Sequence, residues 1–69
     1  MNRHAMKELL QEVRKTKKDE IVTSKVKTLD EIERYIILAI EAESKVKSLD
    51  YITKARHLMS SYIPTKLYG

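Results

Sequence analysis

The sequence holds no cysteine, no tryptophan and no phenylalanine, with one glycine and one proline among its 69 residues. Without thiols there is no disulfide, no thiolate metal site and no cysteine nucleophile. The one glycine is Gly69, so no Gly-rich loop can cradle a phosphate. Turn residues this sparse do not suit a β-sandwich, and the charge pattern does not suit a disordered tail. The longest apolar run, residues 35–40, is far short of the roughly 20 residues a membrane span needs. The N-terminus lacks the apolar core of a signal peptide, so a cytoplasmic, intracellular protein without a membrane partner is predicted.

Acid–base chemistry is equally thin. His4 and His57 are far apart, and Thr53, Lys54, Ser60 and Ser61 surround His57 at helical spacing. None of these is a carboxylate or a further ligand, so His57 reads as a surface or half-buried histidine. The carboxylates Asp30, Glu31, Glu33, Glu41 and Glu43 fall mostly on the polar side of one amphipathic stretch, where nothing buries a pair to shift its titration. No catalytic residue, metal, cofactor or small-molecule substrate is predicted, and the protein reads as a non-enzyme.

What is present is charge and helix-forming residues. Charged side chains make up 35% of the chain and hydrophobic ones 42%, which suits a single all-α domain over residues 1–69. Its organising stretch is residues 28–43, TLDEIERYIILAIEAE. Leu29, Ile32, Ile36, Ala39 and Ile40 recur in steps of three and four on one helical face. Thr28 and Glu31 have the spacing of a capping box, which places the helix start at Thr28. This is the predicted central helix, over 29–43.

Before it, Asn2 can cap a first helix over about 3–18, with Ala5, Met6, Leu9, Leu10 and Val13 as its stripe. Residues 19–27 are rich in β-branched side chains and read as a connector. After it, a third helix over about 49–63 carries Ile52, Ala55, Met59, Tyr62 and Ile63, and Pro64 stops it. Residues 65–69 are predicted to form a loose tail. A repeat joins the last two helices: SKVKTLDEI at 24–32 and SKVKSLDYI at 44–52 share seven of nine residues. Both copies read as helix starts, with Thr28 or Ser48 capping and Leu29 or Leu49 entering the core. The alternative fuses helices two and three into a rod of about 34 residues, roughly 50 Å long, which would have to dimerise. It draws on the Glu41–Lys45 and Glu43–Lys47 spacings, which favour a continuous helix.

The net charge of +4 conceals a segregation. Residues 1–27 carry eight Lys/Arg and four Asp/Glu, residues 28–43 one and five, and residues 44–69 five and one. An acidic helix between basic segments favours packing within or between chains and leaves basic outer surfaces for an anionic partner. Arg14, Lys15, Lys17 and Lys18 form the densest cluster, and Lys25, Lys27, Lys45 and Lys47 recur in the SKVK modules. These eight are the candidate nucleic-acid-binding residues. Four such contacts with duplex phosphates would give a salt slope near −3.6, while the plain alternative is a solvated face. Tyr51 and Tyr68 are candidate stacking surfaces, whereas Tyr35 and Tyr62 fall on core stripes. A helix-turn-helix is a further option, with Tyr51, Lys54, Arg56 and His57 projecting from a recognition helix.

The nine residues TLDEIERYI are similar to a helix start in a family of small helical nucleoid-modulating proteins, which bind a DNA-binding partner. The likeness spans those nine residues and transfers no residue role. The expectation is a small basic accessory protein that acts by binding, associated with nucleic acid or with a larger protein of nucleic-acid metabolism. The alternative is a protein–protein module, a regulator, inhibitor or homodimer, that uses its apolar helical face and no nucleic acid.

Overall fold

The structure is a computed structural model and describes residues 2–62. It contains three helices, α1 (Arg3–Asp19), α2 (Thr23–Glu41) and α3 (Lys45–Ser61), and no strand among the described residues. The expected Pro64 stop, Ile63 and the tail 65–69 lie outside those residues. Connectors of three residues, 20–22 and 42–44, make each helix the antiparallel neighbour of the one before it. A helix of 17 residues is about 25 Å long, so none can lie across a molecule measuring 40 × 18 × 16 Å. All three run along the long axis, and α3 lies beside α2 rather than across it as a recognition helix would.

The stripe on α2 is the core. Leu29, Ile32, Ile36 and Ala39 are buried, and Ile32 and Ile36 are wholly enclosed. Met6, Leu10 and Val13 of α1 cover one side of it, and Ile52 and Ala55 of α3 cover the other. Every buried residue among those described is apolar. Leu9, Tyr35, Ile37, Ile40, Tyr51 and Leu58 widen the cluster at its margins. The flanking helices meet only through side chains: no Cα of α1 comes within 8 Å of one of α3.

The first helix begins as the sequence indicates, with Asn2 Oδ1 accepting the Ala5 N–H at 2.8 Å. The other two starts do not. α2 begins at Thr23, so 23–27 is helix and the true connector is 20–22. Its cap is Val22, which has no side-chain acceptor. Thr28 is therefore inside the helix, where its hydroxyl donates to the Ser24 carbonyl at 3.2 Å. A hydroxyl turned back to the i−4 carbonyl cannot also serve an N-terminal amide, so the capping box does not form. α3 begins at Lys45 with Ser44 as its cap, Ser44 Oγ accepting the Lys47 N–H at 3.2 Å. The break over 42–44 separates Glu41 from Lys45 and Glu43 from Lys47, and it rules out the continuous rod.

Ser48, expected to cap α3, closes the end of α2 instead. Its hydroxyl donates to the Ala39 carbonyl at 3.0 Å, among the last carbonyls of α2, which run short of helical partners. Leu49, expected in the core, is 63% exposed, because Ser48 takes the position facing the end of α2 and leaves Leu49 at the lip of the gap beside it. At the other end the Tyr62 hydroxyl donates to Glu20 Oε2 at 2.6 Å, while Glu20 Oε1 accepts the Val22 N–H at 3.2 Å. One carboxylate thus ties the first connector to the end of α3.

The two leucine-sized positions should separate cleanly in a denaturation experiment. Ile36→Ala is expected to cost about 2–5 kcal/mol, because it opens a cavity in the enclosed core. Leu49→Ala should change stability by no more than about 0.5 kcal/mol. Urea unfolding followed by circular dichroism measures both; equal losses would contradict this assignment of the core.

Candidate nucleic-acid interface

The eight candidate cations do not form one surface. Arg14 and Lys17 turn inward onto α2: Arg14 Nε donates to Glu33 Oε2 at 2.7 Å, and Lys17 Nζ donates to Asp30 Oδ1 at 2.8 Å and Glu33 Oε1 at 2.9 Å. Glu33 is the centre of this network, with its side chain only 16% exposed. The hydrogen bonds from Lys17 and then Arg14 hold its carboxyl below the ordinary value of 4.5. Lys17 is raised above 10.5 by its bonds to Asp30 and Glu33. The charge segregation seen along the chain is here a contact between helices, and it consumes two of the four cations in the densest cluster.

The rest divide between the two ends of the bundle. Lys15 and Lys18 are exposed near the end of α1, and Lys25 (half-buried) and Lys27 (exposed) stand in the opening turns of α2. Lys45 and Lys47 are exposed in the first turn of α3, at the other end of a 19-residue helix about 28 Å long.

A different constellation is brought together on the outer seam between α2 and α3. The Tyr35 and Tyr51 rings stack across it, with centroids 6.4 Å apart and planes at 28°. Both rings are half-buried, so each packs on the core with one part and meets the surface with another. Lys54 Nζ lies 6.0 Å from the Tyr51 centroid and pairs with Asp50 at 3.5 Å. Lys47, Tyr51 and Lys54 are spaced by four and three residues and share one lane of α3. Lys27 and Arg34, seven residues apart, are exposed on the outer side of α2. Against these cations stand Glu31 and Asp50, both exposed.

Of the residues chosen from the sequence, Lys27 and Lys47 adjoin this seam. Tyr35 falls on the core stripe in the sequence and is half-buried against the core here, and Lys54 enters the sequence reading only through a recognition helix. The spacing Lys47–Tyr51–Lys54 was readable in the sequence; the placement of Tyr35 opposite Tyr51 needed the helix register. Among the described residues no three His, Cys, Asp or Glu side chains gather where they could hold a metal ion. No described helix is long and apolar enough to cross a membrane. Comparisons with protein-family models, curated proteins and solved structures return no match.

The ion-pair network has a pH signature. Because Glu33 titrates below its unfolded value, the stability it contributes is present above about pH 4.5 and is lost as pH falls through its lowered folded value. Melting temperature should therefore fall more steeply below pH 4.5 in the wild type than in Glu33→Gln, which should be less stable near neutrality. Parallel curves for the two proteins would show that Glu33 is not the linkage site.

Proposed function

We propose that this protein is a non-enzymatic accessory protein that binds nucleic acid through the outer seam of α2 and α3. The observation that carries this reading is the Tyr35–Tyr51 stack with Lys54 over it and Lys47 one turn away. Sequence-tolerant recognition of single strands combines aromatic surfaces for bases with cations that track the backbone. A base can extend the tyrosine stack, displacing the Lys54 ammonium from the ring to a neighbouring phosphate. Lys47, Lys27 and Arg34 supply further positive charge along the same side. Half-burial of both rings holds them in place, so little conformational freedom is lost when a base arrives.

A protein partner is the second reading, and it is favoured by Val46 and Leu49, which are 79% and 63% exposed. At about 100° per residue Leu49 lies roughly 140–160° around α3 from Lys47, Tyr51 and Lys54, on the side away from the tyrosine seam, and Val46 stands between the two sides, about 80° from Lys54. The two surfaces are separable by substitution.

Titration of a labelled single-stranded oligonucleotide tests the first reading. Four phosphate contacts on a single strand give a slope of log affinity against log salt of about −2.8. Lys47→Glu with Lys54→Glu should weaken binding by about tenfold or more without loss of helicity, since both side chains are exposed. Lys15→Glu with Lys18→Glu on α1 should have a much smaller effect. Failure to bind at about 50 mM salt, or greater damage from the α1 pair, would overturn the assignment.

A further inference from the structure

At one end of the bundle α1 and α3 both begin, and the gap between them opens as a groove of about 570 Å³ over the end of α2. Its apolar lining comes from Met6, Ala39, Ile52 and Leu49. Leu49 stands on the lip, and Val46, one turn earlier on α3, extends the apolar edge outward. A pair this exposed on a small domain, adjoining a preformed groove, marks an interaction surface.

The charge around the groove states what the occupant carries. Arg3 and Lys45 line it from the two sides, with Glu43 as the single lining carboxylate. Lys47 follows in the same turn of α3, and the N-terminal ends of two helices, α1 and α3, add positive dipole ends against one C-terminal end, that of α2. A second copy of this chain is a poor match: pairing α3 with itself antiparallel sets Lys45 and Lys47 against Lys54 and Arg56. We infer that the groove docks an amphipathic helix of a protein partner, apolar on the face that covers Leu49 and Val46 and acidic along its flanks. Helix-in-groove recognition of this kind uses apolar anchors for affinity and flanking charge for orientation and rate. Leu49 and the groove lie on the side of α3 away from the tyrosine pair, and Lys47 borders both surfaces.

The test uses the full chain and two designed helical peptides, one with leucines on one face and glutamates elsewhere, the other with lysine replacing each glutamate. Backbone amide resonances of the labelled protein are followed as each peptide is added. The glutamate peptide is expected to shift Met6, Leu49 and Ile52 and to bind at least about tenfold more tightly than the lysine peptide. Val46→Ser with Leu49→Ser should weaken binding about tenfold while leaving the melting temperature near that of the wild type, because both are exposed. Arg3→Gln with Lys45→Gln should abolish the preference for the glutamate peptide. The inference is overturned by no binding of the glutamate peptide, by equal affinity for both peptides, or by indifference to the Val46 and Leu49 changes. A dimer in sedimentation that those same changes dissociate would also overturn it, by identifying the occupant as a second copy.

Discussion

Enclosure of Ile32 and Ile36 on α2 is the constraint from which the remaining structure follows. A chain of 69 residues has little core to offer, and domains near this size bury only about 60% of the surface their unfolded chains expose. Here the stripe on one helix must be closed from both sides. α1 and α3 do this while staying apart from each other, joined mainly through what they share on α2. Two three-residue connectors suffice because each flanking helix only has to turn back on the central one. Polar contacts then finish the edges: Ser48 at the end of α2, Glu20 between the first connector and Tyr62, and Glu33 between α1 and α2. The Tyr62 hydroxyl is pushed up to about 12, first by burial and then by its bond to Glu20, so this last contact weakens only as pH rises above 10 toward that value.

Number, order and inward faces of the helices were legible in the sequence, because a 3.6-residue apolar period survives whatever the ends do. The ends were not. Thr28 and Ser48 carry the side chains of caps, but a hydroxyl satisfies an interior carbonyl or a neighbouring helix as readily as a first-turn amide. The two SKVK copies show the ambiguity directly. Ser44 caps one helix, while Ser24 lies one residue inside another that starts at Thr23. Which hydroxyl becomes the cap depends on where α2 must begin to set its stripe against α1, and no local pattern encodes that. Leu49 is exposed for the same reason, since Ser48 before it is the residue that meets the end of α2.

The charges show the same dependence on the folded context. Density of charge along the chain drew attention to residues 14–18, yet the acidic helix that follows is the nearest counterion for that cluster. Arg14 and Lys17 pair with Asp30 and Glu33 across the α1–α2 seam. α3 lacks such a counterweight, having four Lys/Arg and one Asp. Its two sides consequently differ in what they present: a stacked tyrosine pair among lysines on one, and an apolar pair beside a basic-rimmed groove on the other.

The most direct measurement is a map of backbone amide shifts as a short single-stranded oligonucleotide is added to the labelled protein. The expected result is a contiguous patch at Tyr35, Lys47, Tyr51 and Lys54, with Arg14 and Lys17 unmoved in their ion pairs. Shifts centred on residues 14–18, or none at all at low salt, would contradict the placement of the nucleic-acid surface on the α2–α3 seam.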